Sequence, residues 1–235
     1  MKESHAVFMA AALLAGVTFI AESAAEVLAQ ESPSALIARI EGRQSPDRQG
    51  LDAFTLQEIM QKYRVPGVSV AVIKNFEIHW AKGYGVADVE TGLPVDPRTL
   101  FQAASISKPV TAMAVLKAVE DGRVSLDADI NEMLKSWKVP QGEFTKTLPV
   151  TPRALLSHTS GAGDGFGFPG YHPAQPRPTL VQILAGEKPS NVGPVLFERP
   201  PFTAHKYSGG GIMIMQLAMI DTLGKPFADI KKTSF

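Results

Sequence analysis

The sequence predicts an α+β fold, an antiparallel β-hairpin followed by a helical region, and three observations lead there. Val68, Val70 and Val72 alternate with Ser69 and Ala71, Lys74-Asn75 makes a turn, and Glu77 to Val86 returns. That is the period-2 pattern of a hairpin with one face buried. Val110 to Val119 is apolar on nearly every face, the mark of a helix buried on all sides. Gly209 to Leu223 is a second long helix, rich in Ile, Met and Leu and closed by Gly224 and Pro226.

The elements follow in order. Residues 31–50 are polar, with Pro33, Pro46 and Gly50, and read as a loose lead-in. Leu51, Phe54, Leu56, Ile59 and Met60 stand at helical spacing up to Arg64. After the hairpin, Thr91-Gly92-Leu93-Pro94 turns the chain. The helix through Val119 stops at Asp121-Gly122. Leu126 to Trp137 contains a short helix under a capping Asp, and Thr151-Pro152 opens another through Ser157, with proline in its first turn. A long Gly/Pro loop spans residues 159–178 and reads as an active-site wall or mobile cover. Thr179 to Ala185 is helical.

Composition bounds the function. The chain has 235 residues, 45% hydrophobic, with 23 basic and 23 acidic side chains. That supplies one sizeable core and a single mature domain, and zero net charge gives no pull toward nucleic acid. Cysteine is absent, so disulfides, thiolate metal sites and a cysteine nucleophile are excluded. At the N-terminus Lys2 precedes an apolar run from Ala6 to Ala21, followed by Ser23-Ala24-Ala25 and Val27-Leu28-Ala29. This reads as a signal peptide over residues 1–29, cleaved after Ala25 or Ala29, with the functional domain over 30–235. The run is shorter than the ~20 residues of a spanning helix, so no stable membrane anchor is expected and the mature chain is expected in the periplasm or outside the cell.

The chemistry concentrates at Ser105-Ile106-Ser107-Lys108 and at Tyr207-Ser208. If the helix begins at or just before Ser105, Lys108 shares its face, with Cβ atoms roughly 5–6 Å apart. An amine there can take the hydroxyl proton and make Ser105 a nucleophile. The Ser105 N–H, an unpaired donor of the first turn, suits one half of an oxyanion hole. Pro109 falls in the first turn, where its missing N–H costs little. The alternative is a serine cap beside a solvated lysine. Other chemistry is thin. Gly165-Phe166-Gly167-Phe168-Pro169-Gly170 matches a nucleotide-loop pattern in form alone, since no strand precedes it and Pro169 forbids a helix. No histidine pair has metal-ligand spacing, and there is no Gly-x-Ser-x-Gly elbow. Met213, Met215 and Met219 read as core fillers, and His158 as a residue that ties loop backbone together.

These motifs resemble the class C β-lactamase-like serine hydrolases, which include D-Ala-D-Ala carboxypeptidases, penicillin-binding proteins and esterases. The likeness runs from Pro66 to Phe227. Pro66 to Val72 resembles the first core strand of that family and Lys82 to Asp88 the end of its second. Phe101 to Lys108 resembles the nucleophile motif, Leu155 to Gly161 a motif after the helical region, and Tyr207-Ser208-Gly209 the second catalytic motif. The resemblance implies an antiparallel sheet against a helical region with the active site between them. It implies Ser105, Lys108 and Tyr207 as catalytic residues, and Ser105, Ser208 and Gly209 as oxyanion or substrate-binding residues. The substrate would be a small ester, amide or β-lactam, with no cofactor or metal. Gly209 stands where the family carries Asn. The family's third motif, on a late strand that supplies the second oxyanion N–H, has no counterpart after Phe227, where Lys232-Thr233-Ser234 reads as a chain end. The sequence therefore carries a second expectation: a truncated member of that family, impaired or inactive.

Overall fold

The computed structural model describes residues 32–43, 50–165, 170–232 and 234. The expected signal peptide lies outside them, as does the middle of the Gly165–Gly170 run. The described residues form two compact units, one ending at Phe101 and the other starting at Gln102.

The first unit opens with helix α1 (Pro33–Glu41), where a loose lead-in was expected. Its start is encoded locally: Ser32 caps it by accepting the Ala35 N–H at 3.2 Å, and Pro33 sits at the first helical position. A 3₁₀ turn (Leu51–Ala53) leads to α2 (Leu56–Tyr63). Thr55 and Glu58 form a reciprocal capping box there, each side chain accepting the other's N–H. Strands β1 (Gly67–Lys74) and β2 (Glu77–Gly85) pair antiparallel, with Val70 opposite Lys82 and Val72 opposite Trp80. The link is Asn75-Phe76, both at positive φ (52° and 64°), the two-residue turn whose twist matches a hairpin. Among the described residues no further strand joins, and Trp80 is the one side chain of the hairpin that is fully buried. Gly83 has a packing reason: a Cβ there would lie 2.2 Å from the carbonyl oxygen of Val95.

The second unit holds the helices. A 3₁₀ turn (Ala104–Ile106) runs into α3 (Ser107–Glu120). It is followed by α4 (Ile130–Met133), α5 (Pro152–Leu156), α6 (Leu180–Ala185), α7 (Gly209–Leu223) and α8 (Phe227–Lys232). The starts of α4 to α7 are capped by Asp129, Thr151, Thr179 and Ser208, and α6 and α7 end on Gly186 and Gly224 in left-handed conformation (φ 68° and 65°). Helix α7 is the hub, touching α3, α4, α5, α6 and α8. Ile214, Met215 and Met219 are wholly buried among Val115, Ile130, Leu134, Leu155 and Leu184. Each such side chain contributes roughly 1.5–3 kcal/mol over its exposed state. Met213 packs against the edge of that cluster, so all three methionines serve the core.

Two features of this unit depart from the sequence reading. The terminal helix α8 was not foreseen; Ile230 anchors it in the core, although the segment is short and carries Asp229, Lys231 and Lys232. Helix α3 is not buried on all sides. Thr111, Ala114, Val115 and Ala118 form its buried face, while Met113 and Leu116 stand about half exposed at 54% and 50%. Apolar composition all round cannot say how many faces find a partner.

Candidate active site

Ser105 lies in the 3₁₀ turn that leads into α3, and Lys108 lies in the first turn of the helix proper. The spacing of three that suggested a shared face acts through this tighter turn, where residues three apart eclipse. The Lys108 Nζ donates to the Ser105 Oγ at 3.1 Å. The residue before Ser105, Ala104, sits at φ 44°, a left-handed conformation that costs a non-glycine residue of the order of 1 kcal/mol. Ser105 is exposed and therefore open to a reactant.

Tyr207 completes the group: its hydroxyl donates to the Ser105 Oγ at 2.6 Å. Lys108 Nζ also stands 4.8 Å from the centre of the Tyr207 ring. The Lys108 amine beside the phenol, and then the Ser105 hydroxyl, hold the Tyr207 hydroxyl below the ordinary phenol range; partial burial opposes them. Three heavy atoms from two distant parts of the chain thus meet at one hydroxyl. The arrangement lets the serine proton pass to a phenolate, with the ammonium stabilising the charge, or directly to a neutral amine.

The loop from His158 to Asp164 holds Tyr207 in place. The His158 carbonyl accepts the Lys206 N–H at 2.8 Å, and its ring Nδ1 accepts the Ser208 N–H at 3.1 Å. The Gly163 carbonyl accepts the Ser208 hydroxyl at 2.8 Å, and the Asp164 carboxylate accepts the Gly209 N–H at 2.8 Å. Behind it, Gly163 N–H and Glu198 N–H bond back and forth with Leu196 and Gly161, so the loop is pinned on both sides. A Cβ on Gly210 would come within 2.6 Å of the Gly163 and Asp164 carbonyl oxygens, so the loop lies against bare backbone at the start of α7.

The expected residues therefore divide. Ser105, Lys108 and Tyr207 come together as the sequence suggested. Ser208 and Gly209 do not stand ready as substrate contacts. The Ser208 side chain is 1% exposed; its hydroxyl donates to Gly163 and accepts the Gly211 N–H as the cap of α7. The Gly209 N–H is engaged by Asp164. A serine before a glycine run at a helix start carries that capping signal in the sequence itself. His158 ties loop backbone as expected, but its ring also lies 4.6 Å from that of Tyr207, tilted by 35°, and edge-on to His205 at 5.9 Å. Burial foremost, then the charges of His205 and Lys108, lower the basicity of His158; Asp164 works in the opposite sense. No pattern in the sequence linked Asp164 to this site. A cavity of about 800 Å³ in the first unit, lined by Leu56, Met60, Arg64 and Tyr84 among others, contains none of these groups. Among the described residues, no group of three or more His, Asp or Glu side chains is placed to hold a metal ion, and no helix is long and apolar enough to cross a membrane.

Comparison with known proteins places the chain in a family. A beta-lactamase family model matches residues 54–234, most of the chain. The chain belongs to the beta-lactamase family. Esterase EstB of Burkholderia gladioli is 37% identical over 113 residues, 48% of this chain and 28% of the esterase. Protein flp of Staphylococcus aureus (strain N315) is 32% identical over 106 residues, 45% of this chain and 21% of that protein. Among solved structures, an octameric penicillin-binding protein homologue from Pyrococcus abyssi aligns with a TM-score of 0.60 at 28% identity, covering 76% of this chain and 40% of that one. A D-amino acid amidase from Ochrobactrum anthropi SV3 aligns with a TM-score of 0.61 at 24% identity, over 84% of this chain and 49% of its own, and speaks for the shared fold alone. The chain thus matches less than a third of the length of these two curated relatives and about half or less of these two solved structures.

Proposed function

We propose that this beta-lactamase family member is a serine hydrolase that forms an acyl-enzyme on Ser105. The observation that carries the reading is the single hydroxyl held by both Lys108, at 3.1 Å, and Tyr207, at 2.6 Å. In the proposed reaction Ser105 Oγ bonds to the carbonyl carbon of an ester, amide or β-lactam, and its proton passes to the Tyr207 phenolate or the Lys108 amine. The carbonyl oxygen gains the electron pair and faces the Ser105 N–H at the helix start. Collapse breaks the bond to the leaving group, which takes the proton back, and water repeats the sequence on the acyl-enzyme. The similarity to an esterase supports a small acyl substrate. The test is labelling by a fluorophosphonate probe, read by intact mass. One adduct on the wild-type chain and none on Ser105→Ala is expected; labelling that survives the substitution overturns the assignment.

A second reading is favoured by one observation, the sheet of two strands among the described residues. A two-stranded sheet is marginal by itself, and its edges carry unpaired backbone groups. On this reading the chain is partly unfolded and nearly inactive on nitrocefin and short p-nitrophenyl esters. A cooperative melt of the purified chain together with ordinary turnover rejects it. We also propose export, on the Ala6–Ala21 run. Expressed in a Gram-negative host, the chain is expected in the periplasm with its new N-terminus after Ala25 or Ala29; an intact Met1 on a cytoplasmic product rejects export.

A further inference from the structure

We propose that His158 is a positioning residue for Tyr207 and that it works as an acceptor clamp which protonation releases, so that acylation of Ser105 carries a second acid limb set by this imidazole. The inference rests on the serine hydrolase reading above for its catalytic consequence, and on geometry alone for the clamp.

Three attachments bracket Tyr207. On one side the Lys206 N–H is held by the His158 carbonyl at 2.8 Å; on the other the Ser208 N–H is held by His158 Nδ1 at 3.1 Å; between them the imidazole lies 4.6 Å from the phenol ring. One residue thus fixes the backbone on both sides of Tyr207 and the face of its ring. The main-chain path that allows this is unusual, since His158 sits at φ 58°, a conformation that His, Asn and Asp accept more readily than most residues.

The Nδ1 attachment depends on charge. A ring nitrogen accepts an N–H only while it carries no proton, so the geometry requires the neutral tautomer with its hydrogen on Nε2. Protonation places two donors face to face at 3.1 Å, and the Ser208 backbone loses its anchor. The charged and titratable groups facing the ring are Tyr207, His205, Lys108 and Asp164. Lys108 and His205 resist a further positive charge there, as burial does, and Asp164 favours it. The clamp therefore stays closed to a lower pH than a free imidazole, with its ordinary value of about 6.5, would permit. Because Tyr207 meets Ser105 at 2.6 Å, a displacement of about 1 Å is enough to cost about 10²-fold in rate.

The experiment measures the rate of fluorophosphonate labelling of Ser105 against pH in the full chain, for the wild type, His158→Asn and His158→Ala. In the wild type the rate is expected to fall in inverse proportion to proton concentration as the Tyr207–Lys108 base is protonated, then to steepen to the inverse second power at a pH below the ordinary imidazole value. Asn accepts the left-handed backbone and offers an amide oxygen near the Nδ1 position. His158→Asn is therefore expected to keep most of the neutral-pH rate and to lose the steepening. His158→Ala, with no acceptor, is expected to lose about 10²-fold at neutral pH. An independent readout is the Ser208 backbone amide in a ¹H–¹⁵N spectrum, which should shift with a midpoint below the ordinary imidazole value in the wild type and not in His158→Asn. A second limb retained in His158→Asn, or a Ser208 amide that does not titrate, overturns the proposal. A wild-type chain that the probe does not label overturns the hydrolase reading instead, and the amide titration still decides the clamp.

Discussion

At the residue scale, the Ser105 hydroxyl is shared between the Lys108 amine at 3.1 Å and the Tyr207 phenol at 2.6 Å. The Tyr207 phenol is held below its ordinary range of about pH 10, first by the neighbouring Lys108 amine. A group depressed in this way contributes stability that is full above its unfolded value and is lost progressively as pH falls from there through the lower folded value. Lys108→Ala is expected to raise the titration midpoint of Tyr207, visible as a later rise of tyrosinate absorbance, and to slow Ser105 labelling by about 10²–10⁴, the range of general-base contributions. Tyr207→Phe should cost a similar factor with the fold retained. An unchanged tyrosinate titration in Lys108→Ala would show that the lysine does not govern the phenol. Ala104, at φ 44°, is the other notable residue here. No periodicity or motif encodes that conformation, because it is imposed by where the turn must deliver Ser105.

At the element scale, the start of α7 determines whether Tyr207 arrives at the site. Ser208 caps the helix through the Gly211 N–H and also donates to the Gly163 carbonyl. Ser208→Ala removes both bonds and is expected to cost about 1–3 kcal/mol, combining a lost cap with an unsatisfied buried carbonyl. Urea unfolding should show a lower midpoint at unchanged slope. Gly210→Ala puts a methyl group 2.6 Å from two backbone carbonyl oxygens, and overpacking of that kind costs typically 1–3 kcal/mol. Its more telling effect is expected on labelling, since the loop that moves aside carries the His158 and Asp164 contacts. A Gly210→Ala chain of wild-type stability and labelling rate would show that the loop can yield freely.

At the scale of the whole molecule, stability lies in the second unit, and the two faces of α3 provide the test. Ile214→Ala in the wholly buried cluster is expected to cost about 2–5 kcal/mol. Met113→Ser, on the half-exposed face of α3, should stay within about 0.5 kcal/mol. A Met113→Ser penalty as large as that of Ile214→Ala would mean that the outer face is covered in solution. The pH dependence of stability follows from His158. Its folded basicity is depressed, so its contribution is fully present above the ordinary imidazole value of about 6.5 and is lost as pH falls through the lower folded value. The thermal midpoint should decline over that window, less so in His158→Asn.

Much of this was readable from local pattern. The alternation Val68-Val70-Val72 gave the hairpin, because a strand sends side chains to opposite faces at period two. Thr151 and Thr179 stand at helix starts the sequence predicts, because a cap is a contact between residues two or three apart. Ser105 and Lys108 were legible for the same reason, their spacing being a property of one turn of chain. Helix α8 escaped because its stability comes from Ile230 in a core built by other segments. The exposed face of α3 escaped because composition counts apolar residues and not the partners that cover them. The sequence by itself determined the hairpin, most of the helices and the residue types gathered at the candidate site. Only the tertiary structure decided that His158 and Asp164 grip the segment around Tyr207, and that Ser208 faces inward as a cap. Those contacts join residues roughly fifty positions apart, and their geometry depends on how the loop and α7 pack, which no local spacing records.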